Sequence, residues 1–180
     1  MLKYIFNILF IVFLGLGLCS AFSADGPARI AKPEDVVVWL YRDFGWEITS
    51  DDSSKTVLIL QPISVLRQFF TPKLVKLIVN DREYVAKTKE IGHLDFILIS
   101  GSQDPGGISN IRITRKPGTN VVTVLYDQNG EKEVMRIDYY TVHTRSGWRI
   151  SDVRYKTRKS TAFPVPEPES SLLKLLSQPY

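Results

Sequence analysis

From residue 109 to residue 155 the chain repeats one form: a run of alternating apolar and polar residues, then a short turn ending in glycine. The runs are 109–115, 120–127, 131–144 and 148–155, and the turns between them read KPG, QNG and RSG. Alternation with period two sends successive side chains to opposite faces of a strand. Asn129-Gly130 is the strongest of the turn signals, because a tight hairpin needs positive φ at both central residues and Asn and Gly tolerate it best. Links this short join antiparallel neighbours, since a parallel pair needs a long crossover. The feature therefore dictates an antiparallel meander and requires something earlier in the chain to cover one of its faces.

That cover is written in the first half. PEDVVVWLYRDFG places Pro33 at a first helical position, Glu34 and Asp35 in the first turn, and Gly45 as the stop. Acids suit the positive end of the helix dipole, and proline suits a position whose N–H needs no partner. Val36, Leu40 and Phe44 recur every four residues, with Val37 and Tyr41 beside them, so one face is buried. A second amphipathic helix is capped by Thr71 and opened by Pro72, with Leu74, Leu77, Ile78, Asp81, Tyr84 and Val85 along one stripe. Residues 56–60 read equally as a strand or a helix entry, because a short apolar run does not reveal its period. Residues 63–70 suit one or two helical turns. Helices first and an antiparallel sheet last predict an α+β fold, with N-terminal helices packed on a curved sheet.

The start and end of the chain read differently. MLKYIFNILFIVFLGLGLCSAFSAD has a single early cation, a short greasy middle and small residues after it, the layout of a secretory signal. Residues 1–23 are expected to be that signal, with cleavage after Ser23 or Ala21, and the product to be periplasmic or secreted. As a retained anchor the apolar stretch 4–18 falls short of the ~20 residues a spanning helix needs. A lipid anchor on Cys19 is the remaining reading, with Leu16 in place and Leu18 bulkier than such a motif prefers. Residues 24–32 form a leader, 33–155 the domain, and 156–180 a Pro-rich tail with a short helix near its end. Cys19 is the sole cysteine, so cleavage leaves no disulfide, thiol nucleophile or cysteine metal site. The net charge of +4, one less without Lys3, is too mild to argue for nucleic acid.

Candidate site residues follow from pattern. In GWRISDVRY, unbroken alternation puts Asp152 and Arg154 on the face of Trp148 and Ile150, as a polar rim bordering a cleft. Asp95, Asp138 and Asp152 are the carboxylates that burial in an apolar pocket would turn into general bases. Gln103 and Asp104 precede a Pro-Gly turn, where an Asp commonly bonds its own backbone. His93 and His143 have no metal-ligand spacing, and neither a metal nor a cofactor is expected. Tyr41, with Trp39, Phe44, Trp46, Phe69 and Phe70, reads as core.

Together, PEDVVVWLYRDF, FFTPKLVKLI, DFILISGSQD and GWRISDVRY resemble a bacterial envelope family, domain-of-unknown-function 3828, the YbjP-like envelope proteins, across most of residues 33–155. The closing pattern is carried by Trp148, Ile150, Asp152, Val153, Arg154 and Tyr155. The resemblance implies a cone-shaped, nuclear-transport-factor-2-like domain whose useful surface is the open end of the curled sheet. The expected function is a module that binds an envelope protein or small-molecule ligand at that end, through Tyr41, Asp95, Gln103, Asp104, Trp148, Asp152, Arg154 and Tyr155. Two other classes fit the same fold: an isomerase or dehydratase with Asp152 or Asp95 as base, and an immunity or inhibitor protein presenting the loop 101–109.

Overall fold

Helix α1, Pro33–Phe44, begins where the proline and the two acids place it. The Asp35 carboxylate reaches back to the backbone N–H groups of Ala31 and Lys32 at 3.1 and 2.9 Å, tying down the donors that a helix start leaves open. The computed structural model describes residues 31–49, 54–103, 107–157 and 169–180. The expected signal segment, Cys19, Asp104 and most of the Pro-rich tail lie outside them. After α1 the chain turns through one 3₁₀ segment, Gly45–Ile48. The ambiguous run at 56–60 resolves into another, Leu58–Leu60, with Leu58 buried. Helix α2, Ile63–Phe69, and helix α3, Pro72–Thr88, follow. Leu74, Val75, Ile78 and Asp81 form the buried face of α3, whereas Val85, on the expected stripe, is exposed.

Four long strands form the predicted meander: β1, Ile108–Arg115; β2, Val121–Gln128; β3, Glu131–Thr144; and β4, Gly147–Thr157. Their order is sequential, and every pairing is antiparallel. Asn129 and Gly130 take φ of 51° and 83°, the turn that their residue types called for. A fifth strand, Ser170–Ser171 (β5), pairs with β4 and leads into a four-residue helix α4, Leu172–Leu175. Leu172 and Leu176 are buried in the core, so the end of the chain is packed into the domain.

Helix α1 contacts β1, β2, β3 and β4, which a flat sheet would not permit; the sheet curls around it. The face toward the helices carries Val122, Val124 and Tyr126 on β2, Met135, Ile137 and Tyr139 on β3, and Ile150, Val153 and Tyr155 on β4, all buried. α+β architecture with helices preceding a curved antiparallel sheet is thus the fold.

One local feature overturns the strand reading of GWRISDVRY. The register between β3 and β4 runs Thr141 opposite Ile150, then Tyr140 opposite Asp152, so Ser151 is an extra residue with no partner. This β-bulge resets the alternation, and a slip of one residue swaps faces. Ile150 points into the core with Val153 and Tyr155, while Asp152 and Arg154 belong to the outer face. The expected sharing of a face by Asp152 and Arg154 with Trp148 and Ile150 is therefore incorrect. Alternation predicts faces only across an unbroken ladder.

Candidate functional site

The concave interior of the curled sheet is occupied by the chain itself. Residues 96–102 enter it as a compact turn, closed by an Ile97–Ser102 bridge and by Ser100 Oγ donating to the Ile97 carbonyl at 3.2 Å. Four tyrosines on α1 and the sheet surround this turn. Tyr155 donates its hydroxyl to the Leu98 carbonyl at 2.8 Å, Tyr41 to Ile99 at 2.7 Å, and Tyr126 to Ser100 at 2.8 Å. Tyr139 completes the ring through a 3.1 Å contact between its hydroxyl and that of Tyr41. Three consecutive carbonyls that no strand or helix satisfies are thereby satisfied by side chains. Burial is the main cause that raises the ionisation of all four phenols far above 10.0, with the neighbouring tyrosines adding to it for Tyr41, Tyr139 and Tyr155. They are hydrogen-bonded neutral groups. Tyr41 and Tyr155, named from sequence as ligand contacts, are engaged internally.

On the outer face, Asp152 and Arg154 are indeed together. Arg154 Nε lies 3.3 Å from Asp152 Oδ2, and its Nη1 lies 3.1 Å from Glu169 Oε1. The guanidinium also sits 4.3 Å above the Tyr140 ring. Asp152 has little capacity left for a substrate. Its oxygens accept from the N–H groups of Val153 and Leu173 at 2.9 and 3.0 Å and from Ser171 Oγ at 2.9 and 3.0 Å. Ser171 in turn caps α4 by accepting from Lys174 N at 3.1 Å. The carboxylate is thus a clip that fastens β5 and α4 to β4. An open, charged groove of about 480 Å³ runs beside it, with Lys73 and Lys174 on its walls. Asp138 behaves likewise, paired with Arg136 at 2.8 Å and accepting from Thr123 Oγ1 at 2.5 Å.

The remaining candidates are dispersed. Asp95 and Gln103 meet through a 2.9 Å hydrogen bond on the exposed surface. Trp148 lies at the end of β4, donating its indole N–H to the Ala31 carbonyl and meeting His143 edge-on. His93 stacks on Tyr180, whose other face stacks on Tyr84 at 3.8 Å.

The apolar recess of the described surface lies elsewhere, between the Leu58–Leu60 turn and the exposed side of α3. It encloses about 280 Å³ among Ile59, Leu60, Val85, Ala86 and Leu94, above the buried Ile78. Leu60 is 53% exposed and Val85 39%. Two polar residues join the wall. Asp81 is consumed by folding: it accepts from the N–H groups of His93 and Leu94 at 2.7 and 3.3 Å and from Tyr180 Oη at 2.9 Å. Arg82 is tethered, with Nη1 donating to the carbonyls of Gln61 and Ile59 at 2.9 and 3.4 Å. Sequence pattern missed this recess because it assigned Val85 to the buried stripe. The available signal was Leu60-Gln61-Pro62, where the proline stops the apolar run from continuing as a strand or helix.

Among the described residues no group of three His, Cys, Asp or Glu side chains could hold a metal ion, and no helix is long and apolar enough to cross a membrane. No protein-family model, curated protein or solved structure matches the chain.

Proposed function

We propose that this chain is an exported, non-catalytic binding module, and that it recognises its ligand at the apolar recess beside α3 and not within the cone. The observation that carries this reading is the filling of the cone: residues 98–100 present their carbonyls to Tyr155, Tyr41 and Tyr126. A catalytic cone needs an enclosed space with a desolvated carboxylate reaching into it. Here the three carboxylates considered as bases are placed otherwise, Asp138 being paired with Arg136 at 2.8 Å on the outer face. Asp152 is on the opposite face of the sheet and Asp95 is exposed. The envelope location is read from residues 1–23, whose layout is that of a secretory signal.

The recess also has the character of a recognition surface. It gathers exposed Leu60 and Val85 over a buried floor, and clustered exposed apolar side chains on a folded domain mark contact sites. An environment-sensitive dye that brightens on apolar surfaces tests the placement. Val85→Asp and Leu60→Asp should each abolish dye binding while leaving the circular dichroism of the domain unchanged. Dye binding that persists in both variants and disappears only when the 96–102 turn is disrupted would place recognition in the cone and refute the reading.

A further inference from the structure

The recess leaves a chemical question: what polar head would an apolar occupant carry? Arg82 supplies an answer. One nitrogen of its guanidinium, Nη1, is held by the carbonyls of Gln61 and Ile59, which fixes the plane of the group at the wall of the recess. Among the described residues Nε and Nη2 have no partner. Those two nitrogens form a fork of parallel N–H donors whose spacing matches the two oxygens of a carboxylate. A fork already ordered by main-chain bonds loses little further freedom when it binds.

The charge and apolar character of the occupant follow from the same residues. Arg82 is the only cation among the residues lining the recess, which suits a monoanion better than a dianionic phosphate. Asp81 does not close the fork, because both its oxygens accept from His93, Leu94 and Tyr180. The recess offers about 280 Å³ and is lined mainly by aliphatic side chains, which suits an aliphatic chain rather than a ring of polar groups. We infer that the recess binds a single-chain fatty carboxylate, its chain along Leu60, Val85 and Leu94 and its carboxylate on Arg82. The inference rests on the recess being the recognition surface, and it adds the ligand class.

The test is an amide NMR titration of the whole chain with sodium decanoate and, separately, with decanol, both below their aggregation concentrations. Decanoate should give saturable shifts at Leu60, Val85, Ala86 and Leu94. Decanol, lacking the charge, should bind at least about tenfold more weakly. Arg82→Gln should bring the two ligands to equal affinity, and Arg82→Lys should restore only part of the preference. If Arg82→Gln fails to fold, the comparison of the two ligands on the unaltered protein decides alone. Equal affinity there would overturn the carboxylate assignment and leave the recess reading standing. Absence of shifts at the recess with either ligand, or shifts at Val124 and Ile137 on the inner sheet face, would overturn both.

Discussion

Tyr155 donates its hydroxyl to the Leu98 carbonyl at 2.8 Å, and its ring occupies the space that a side chain on Gly101 would need: an ideal Cβ there would lie 2.5 Å from Tyr155 Cδ1. Gly101 also has φ of +69°, which L side chains rarely adopt. The two residues depend on each other, since the turn that presents the carbonyls exists only because the ring can approach a bare backbone. Gly101→Ala should destabilise the fold by about 2–4 kcal/mol, combining left-handed strain with displacement of the ring. Tyr155→Phe, which keeps the ring and orphans the carbonyl, should cost about 1–3 kcal/mol. Denaturant unfolding of both variants checks the order.

The buried phenols set the alkaline limit of the domain. Their ionisation is raised in the folded state above the 10.0 of a free tyrosine, so the folded state holds protons that the unfolded chain releases. Stability is therefore fully present below pH 10 and falls as pH rises through and beyond it. Phenolate absorbance from Tyr41, Tyr126, Tyr139 and Tyr155 should appear only together with loss of the far-ultraviolet signal.

Glu47 gives a second, acid-side signature. It is buried, accepts from the Leu58 N–H at 2.5 Å, and burial raises its pKa above 4.5, the backbone hydrogen bond opposing that shift only in part. The folded state binds its proton more tightly than the unfolded chain, so its contribution declines as pH rises from about 4.5 through the raised value. Glu47→Gln keeps an acceptor for Leu58 and removes the charge. Its stability relative to the unaltered protein should be greater at pH 7 than at pH 4, as measured by unfolding at both values.

Asp152 fastens the end of the chain. Asp152→Ala removes the acceptor used by Leu173 N and Ser171 Oγ and leaves Arg154 with Glu169 and the Tyr140 ring. The variant should lose about 2–3 kcal/mol and become open to proteolysis near residues 170–176 before the rest of the domain unfolds. Arg154→Ala should be milder, because that guanidinium is partly solvated and its ion pairs are screened. Limited proteolysis followed by mass spectrometry distinguishes them.

Much of this architecture was legible. Pro33 opens α1, Pro72 opens α3, and Asn129-Gly130 makes its hairpin, because each signal acts through its own backbone, whereas Gly45 stays right-handed with φ of −58° and Thr71 makes no side-chain capping bond. What was not legible depends on contacts distant in sequence. Ser151 carries no sign that it will bulge, yet its insertion moves Asp152 and Arg154 to the outer face. The run DFILIS resembles a strand, but the hydroxyls of Tyr41, Tyr126 and Tyr155 satisfy its carbonyls and hold it as a turn within the cone. Tyr41 and Tyr155, named among the ligand contacts, converge on the chain's own backbone. Val85 has the spacing of a core residue and is nonetheless exposed.

The central claim is that the 96–102 turn fills the cone and displaces recognition to the outside. Proton NMR of the folded domain near neutral pH tests it most directly, by observing the tyrosine hydroxyl protons and their neighbours. Slowly exchanging hydroxyl protons on Tyr41, Tyr126 and Tyr155, with through-space contacts between the Tyr155 ring and the α-protons of Gly101, are the expected result. Rapid hydroxyl exchange at these three residues, with no contact between Tyr155 and Gly101, would mean an open, hydrated cone and would contradict the account.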